Sequence, residues 1–167
     1  MIKLKSLAFK YPMDIGAACP IIICDSMHLI VLFYLDLFNF SEPVSSIKER
    51  DVENDTGIAI VRFNRKYIHK FGTPNDETLN AHPYYQIGLK HYSFFSVEDS
   101  DWIKEIKRIA SHHHYFIEDN YNNLNHYIIT FKEGVFECIA SDYSVEYSFD
   151  SMNEALQKIT DSIKNFY

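Results

Sequence analysis

The sequence predicts an α+β fold: a mostly antiparallel β-sheet packed by two main helices, over about 99–111 and 151–165. Three observations lead there. Apolar runs of strand length recur along the chain between turn residues. Two of them, 126–131 and 135–140, flank Lys132-Glu133-Gly134 as the clearest hairpin. Two further stretches place apolar residues at helical spacing. The chain has 167 residues, of which 47% are hydrophobic, so one domain over 1–167 with one core is expected.

The elements follow in order. Residues 3–9 alternate weakly and suggest a first strand. Residues 21–24 and 29–34 are apolar runs separated by Asp25-Ser26-Met27-His28, a hairpin expected to be buried on both faces. The run from Leu29 to Phe38 is broken by Asp36 and falls short of the roughly 20 residues that span a bilayer. Residues 41–56, from Ser41-Glu42-Pro43 to Glu53-Asn54-Asp55-Thr56, are polar with both charge signs; they are the expected mobile loop and a natural place for a partner contact. Strand character returns at 57–63 and again at 91–97. The second of these leads into a helix opened by Asp99 or Ser100, with Trp102, Ile103, Ile106 and Ile109/Ala110 on one face. His112-His113-His114 ends that helix, where cationic side chains suit the negative pole. The last helix is marked by the capping-box spacing of Ser151 and Glu154. Its apolar stripe is Met152, Ala155, Leu156, Ile159, Ile163 and Phe166.

Composition narrows the function classes. The formal net charge is −7, from 16 basic and 23 acidic residues. The best basic cluster, Arg62, Arg65, Lys66 and Lys70, is offset by nearby acids, so nucleic acid is disfavoured as a partner. A basic protein partner is permitted, because opposite charge speeds encounter. The 12 Tyr and 13 Phe fit an aromatic-rich β core, with surplus Tyr available to a recognition surface. Cys19, Cys24 and Cys138 lack metal-like spacing and read as free, buried thiols of a reducing compartment. Lys3 and Lys5 are not followed by an apolar segment of the signal-peptide kind. A cytoplasmic location away from membranes is the expectation.

Candidate chemistry is densest in Phe71-Gly72-Thr73-Pro74-Asn75-Asp76-Glu77-Thr78-Leu79-Asn80-Ala81-His82-Pro83. Asp76, Glu77 and His82 offer two carboxylates and an imidazole, a set able to hold a divalent metal or to run acid–base chemistry. Local capping accounts for the same residues: Asn75 or Asp76 capping a short helix, Glu77 in its first turn, Pro83 opening a second turn. Glu137 lies in a strand with Val135 and Ile139 on its face. Either that face is wet, as one face of an antiparallel strand often is, or the carboxylate pairs with His126 or His82. The first alternative is the expectation. Three adjacent histidines at 112–114 cannot all point one way, and a surface helix end suits them better than a metal. Cys138 with His126 is a conceivable nucleophile–base pair, although its apolar neighbours place Cys138 in a core. No P-loop, G-x-G-x-x-G, G-x-S-x-G or H-E-x-x-H is present, so no cofactor and no metal are expected.

Phe71-Gly72-x-Pro74-Asn75-Asp76-Glu77 with His82-Pro83, then His126-Tyr127-Ile128-Ile129-Thr130-Phe131 and Phe136-Glu137-Cys138-Ile139-Ala140, resemble a family of uncharacterised bacterial proteins. Its segments read F-G-x-P-N-D-E-x(4)-H-P and H-F-I-I-T-F followed by F-E-C-I-A. The resemblance covers roughly residues 70–142 and implies a bacterial, cytoplasmic origin without implying a reaction. Two functions from different classes are consistent with the whole sequence. The first is a protein-binding module, most concretely an immunity- or antitoxin-like protein that occludes a partner enzyme. The alternative is a small hydrolase or metal-dependent enzyme built on Asp76, Glu77 and His82, with His126 and Glu137 as further candidates.

Overall fold

Side chains alternate across each strand, so a strand with apolar residues on both faces must be covered on both sides. This chain meets that demand with two sheets packed face to face and a helix outside each. The computed structural model describes residues 1–37 and 57–164. The strands are β1 (Lys3–Leu7), β2 (Ile21–Cys24), β3 (Leu29–Tyr34), β4 (Ile58–Asn64), β5 (Ile68–Gly72), β6 (Phe94–Glu98), β7 (Asn125–Thr130), β8 (Val135–Ala140) and β9 (Asp142–Ser148). The helices are α1 (Asp101–Ala110) and α2 (Met152–Lys164). One sheet has the order β1-β6-β7-β8-β5 and the other β2-β3-β4-β9. Every pairing between these strands is antiparallel. The predicted α+β class is the observed one.

The layer between the sheets takes most of the aromatic surplus. Phe33 meets Phe131 edge-on at 5.2 Å, Phe9 stacks on Phe94 at 5.1 Å, and Phe94 meets Tyr143 at 4.9 Å. Such pairs add to the area they bury, because ring edges and faces carry opposite partial charge. Val31, Val61, Ile129, Phe136 and Cys138 complete this layer.

The outer face of the four-stranded sheet is closed by α2, whose Met152, Ala155 and Ile159 pack on Ile30, Leu32, Ile58 and Ile60. Its start is the predicted capping box: the Glu154 N–H donates to Ser151 Oγ at 3.3 Å, and the Ser151 N–H donates to Glu154 Oε2 at 3.0 Å. The outer face of the five-stranded sheet is covered by α1 and by the segment 73–92. Leu79, Leu89, Tyr84 and Tyr85 of that segment lie with Phe95, Val97, Ile128 and Val135.

Several expectations change. Ile109 was expected on the buried face of α1 and is 59% exposed, whereas Ile106 is buried. The helix rests chiefly on β7 and on the turn at Glu118–Tyr121, so a narrower stripe is covered. Strands β5 and β9 were not anticipated; β9 alternates strictly but carries Asp, Ser and Glu on its open face. In the first hairpin β3 is buried on both faces, while β2, an edge strand, is only half-buried. No disulfide joins the three cysteines, but only Cys138 is buried, with Cys19 and Cys24 exposed. His112, His113 and His114 are exposed just past α1. The loop expected at 41–56 and the stripe residue Phe166 lie outside the described residues. No helix among the described residues is long and apolar enough to cross a membrane.

Candidate functional site

Alternation along β8 turns Phe136 and Cys138 into the layer between the sheets and Glu137 outward. Glu137 is nevertheless only 5% exposed, so the expected wet face is overturned. The physical reason is the covering formed by α1 and the segment 73–92. An ionised carboxylate beneath such a cover must be met by donors. Three reach it. Lys70 is its cross-strand partner on β5, with Nζ at 2.7 Å from Oε1. His126, two residues along β7 from Ile128, the register partner of Glu137, donates from Nε2 to Oε2 at 2.8 Å. His82, at the end of a short 3-10 turn over Leu79–Ala81, donates from Nε2 to Oε1 at 3.3 Å.

The far sides of the rings fix where the protons sit. The Tyr84 N–H donates to His82 Nδ1 at 3.2 Å, which leaves the His82 proton on Nε2. Ser100 Oγ lies 2.9 Å from His126 Nδ1 and, as the N-cap of α1, accepts from the Ile103 N–H at 3.3 Å. His126 turns Nε2–H to the carboxylate, and in the neutral ring the serine hydroxyl donates to Nδ1. Both imidazoles present Nε2 to one carboxylate, which the Lys70 ammonium also meets. Trp102 meets His126 edge-on at 5.2 Å and carries the Lys70 ammonium 4.8 Å from its ring centre. Burial pushes the Glu137 carboxyl up, but the hydrogen bonds from His126, His82 and Lys70 outweigh it and hold the group well below the usual carboxylate range.

Of the five residues singled out in the sequence, His82, His126 and Glu137 come together; Asp76 and Glu77 do not join them. Asp76 Oδ2 accepts from the Tyr92 hydroxyl at 2.6 Å, and Glu77 is exposed. Asn75 Oδ1 accepts from the N–H and the hydroxyl of Thr78 in a local turn. The 3-10 turns at Leu79–Ala81 and Tyr85–Ile87 start at Thr78 and Tyr84 with no side-chain cap, so neither Asn75 nor Asp76 caps a helix. Cys138 and His126 lie on opposite faces of their sheet and form no pair. Among the described residues no three His, Cys, Asp or Glu side chains are placed to hold a metal ion. Lys70, Ser100 and Trp102 were not recognised as members of this cluster. Lys70 sits on the unanticipated β5, and the other two had adequate local roles as helix cap and core residue.

One surface feature adjoins this hub at Ser100, and another lies away from it. A cleft of about 540 Å³ runs beside α1, with Lys5, Asp99, Ser100, Ile103, Tyr121 and Leu124 among its lining residues. The second feature is the open edge of β9, which among the described residues pairs only with β4. Between Lys132 and Lys158 the chain has no Lys or Arg and six carboxylates, of which Asp142, Glu146, Asp150 and Glu154 follow or flank this edge. Arg62 reaches Glu146 at 3.4 Å and Lys158 reaches Asp150 at 2.6 Å, so four carboxylates face two cations. Phe149 is 63% exposed there, and Tyr11 meets both Tyr147 and Phe149 edge-on.

Fold and site together define an antiparallel α+β sandwich with a helix outside each sheet and a buried carboxylate held by two imidazoles and a lysine. No family model, no curated protein and no solved structure matches this chain.

Proposed function

We propose that the protein is a protein-binding module whose docking surface is the open edge of β9, and that its partner is a basic protein. The observation that carries this reading is the coincidence, on a strand edge unpaired among the described residues, of net negative charge with the exposed Phe149 and the Tyr11–Tyr147 pair. An unpaired edge offers backbone donors and acceptors to an incoming strand, and alternate side chains give the contact its specificity. Aromatic residues are favoured anchors in such contacts. The two edges of the five-stranded sheet suit a basic partner less well, since β1 carries Lys3 and Lys5 and β5 is preceded by Arg65 and Lys66.

The finer reading is an immunity- or antitoxin-like protein of a bacterial cytoplasm, occluding a partner enzyme that presents a cationic patch. The family resemblance over residues 70–142 belongs to the same proposal. The enzyme alternative built on Asp76, Glu77 and His82 loses its support, because Asp76 and Glu77 stand apart from His82.

The test places a photo-crosslinking phenylalanine analogue at Phe149 and, as a control, at Met27, which is 65% exposed in the β2–β3 turn. The species captured from Phe149 is then purified and titrated against the unlabelled protein. A basic partner is expected, with association that slows as salt rises and weakens at least tenfold in the double variant Asp142→Lys, Glu146→Lys. Equal capture from Met27, or binding indifferent to the charge reversal, would remove the reading.

A further inference from the structure

Ser100, His126 and Glu137 form an ordered chain of hydrogen bonds: Oγ to Nδ1 at 2.9 Å, then Nε2 to the carboxylate at 2.8 Å. This is the arrangement of a hydroxyl nucleophile, a base and the group that orients the base. It recurs on unrelated folds and is recognised by geometry. Two further observations bear on the serine. Ser100 lines the cleft of about 540 Å³ beside α1, although it is only 4% exposed. It also stands in a sharp strand-to-helix turn between β6 and α1, where Asp99 has φ 57°, a left-handed backbone that Asp accommodates more readily than most residues. The Asp99 carboxylate is pinned by the N-terminal ammonium at 2.6 Å and by Lys104 at 2.7 Å. A sharp strand-to-helix turn is also how the nucleophile elbow presents its serine, on a different type of sheet.

We propose that Ser100 is the nucleophile of an acyl-transfer site, with His126 as its base and Glu137 as the positioning residue, acting on carboxylic esters of small acyl groups that enter the cleft beside α1. Glu137 holds the His126 proton on Nε2, so Nδ1 has its lone pair toward the serine. Ser100 Oγ attacks the carbonyl carbon and its proton passes to Nδ1. The carbonyl π electrons move onto the carbonyl oxygen, giving a tetrahedral oxyanion. When the C=O bond re-forms, the ester C–O bond breaks and the leaving alkoxide takes the proton from Nδ1, giving an alcohol and an acyl-serine. Water then adds to the acyl carbon by the same route, giving up a proton to Nδ1. The carboxylic acid leaves as Ser100 regains its hydroxyl proton.

The experiment uses the full chain and two probes, an alkyl fluorophosphonate and p-nitrophenyl acetate. Intact-mass measurement should find one phosphonyl group per chain, and peptide mapping should place it on Ser100. Ser100→Asn keeps an acceptor for the Ile103 N–H and a donor for His126, so it should melt like the parent, yet it should take up no probe and lose ester hydrolysis. His126→Gln should slow labelling by about 10²–10⁴-fold, the usual worth of a general base. Absence of an adduct on the parent chain, an adduct on another residue, or undiminished labelling in Ser100→Asn overturns the proposal and leaves Ser100 as a helix cap only. Binding at the β9 edge is measured separately, so either reading can fail alone.

Discussion

Lys70 and Glu137 stand directly opposite each other in the β5–β8 register, and the lysine ammonium closes on the glutamate at 2.7 Å. The pair spans the boundary between solvent and interior: the Lys70 side chain is 59% exposed, that of Glu137 6%. Cross-strand pairing sets this separation, and the covering of the outer face sets its consequence, because the carboxylate loses water and depends on its protein donors.

Removing the carboxylate leaves two buried imidazole N–H groups without their acceptor. Glu137→Ala should therefore cost about 3–5 kcal/mol of unfolding free energy in urea, the range for breaking a buried charged network from one side. A loss below about 1 kcal/mol would mean that water replaces the carboxylate and that the hub is less enclosed than its burial indicates.

The same carboxylate gives stability an acid limb. Its folded value is held below the ordinary one, so its contribution is fully present above the unfolded value of about 4.3 and is lost as the pH falls below that toward the depressed folded value. Glu137→Gln lacks this term. The stability difference between the parent and Glu137→Gln should be constant near neutrality and shrink below about pH 4.3; a difference unchanged down to pH 3 would contradict the assignment.

Tyr92 is pushed up to about 12 by its burial and then by its hydrogen bond to Asp76. In Asp76→Ala the second cause disappears. Spectrophotometric titration of phenolate should lose one high-pH tyrosine, which moves toward the ordinary value near 10. The same substitution should cost about 1–3 kcal/mol, as the loss of a charge-assisted bond does.

The α2 interface sorts its own residues. Ile159 is 2% exposed whereas Leu156 is half-buried, so Ile159→Ala should cost about 2–5 kcal/mol and Leu156→Ala visibly less. Ser151→Ala should remove about 0.5–2 kcal/mol through the lost cap. Chemical denaturation of the three variants gives the ranking, and equal losses for Ile159 and Leu156 would contradict the packing.

Thiol reactivity should divide two to one. Cys19 and Cys24 are exposed, whereas Cys138 is fully enclosed and burial pushes its thiol well up. A disulfide reagent should modify two thiols in the folded protein and the third only on unfolding. A single thiol in the denatured, unreduced chain would mean that a disulfide had formed.

Local pattern determined much of this protein. The β7–β8 hairpin, the Ser151–Glu154 box, the α2 stripe and the placing of Cys138 in a core all follow from residues within a few positions of one another, where spacing alone dictates direction and capping. The α+β class follows from the order of those elements. Only the tertiary structure decided the environment of Glu137. Alternation settles that its side chain opposes Cys138; whether that face is wet depends on α1 and the segment 73–92, which approach from far along the chain. The same holds for Lys70, whose role depends on a β5–β8 pairing about 67 residues apart in sequence. Asp76 and Glu77 looked like partners of His82 because they are near it in sequence. The chain instead turns Asp76 toward Tyr92 and brings His82 to a strand more than fifty residues away, because a buried carboxylate has to be met by whatever donors the fold can deliver.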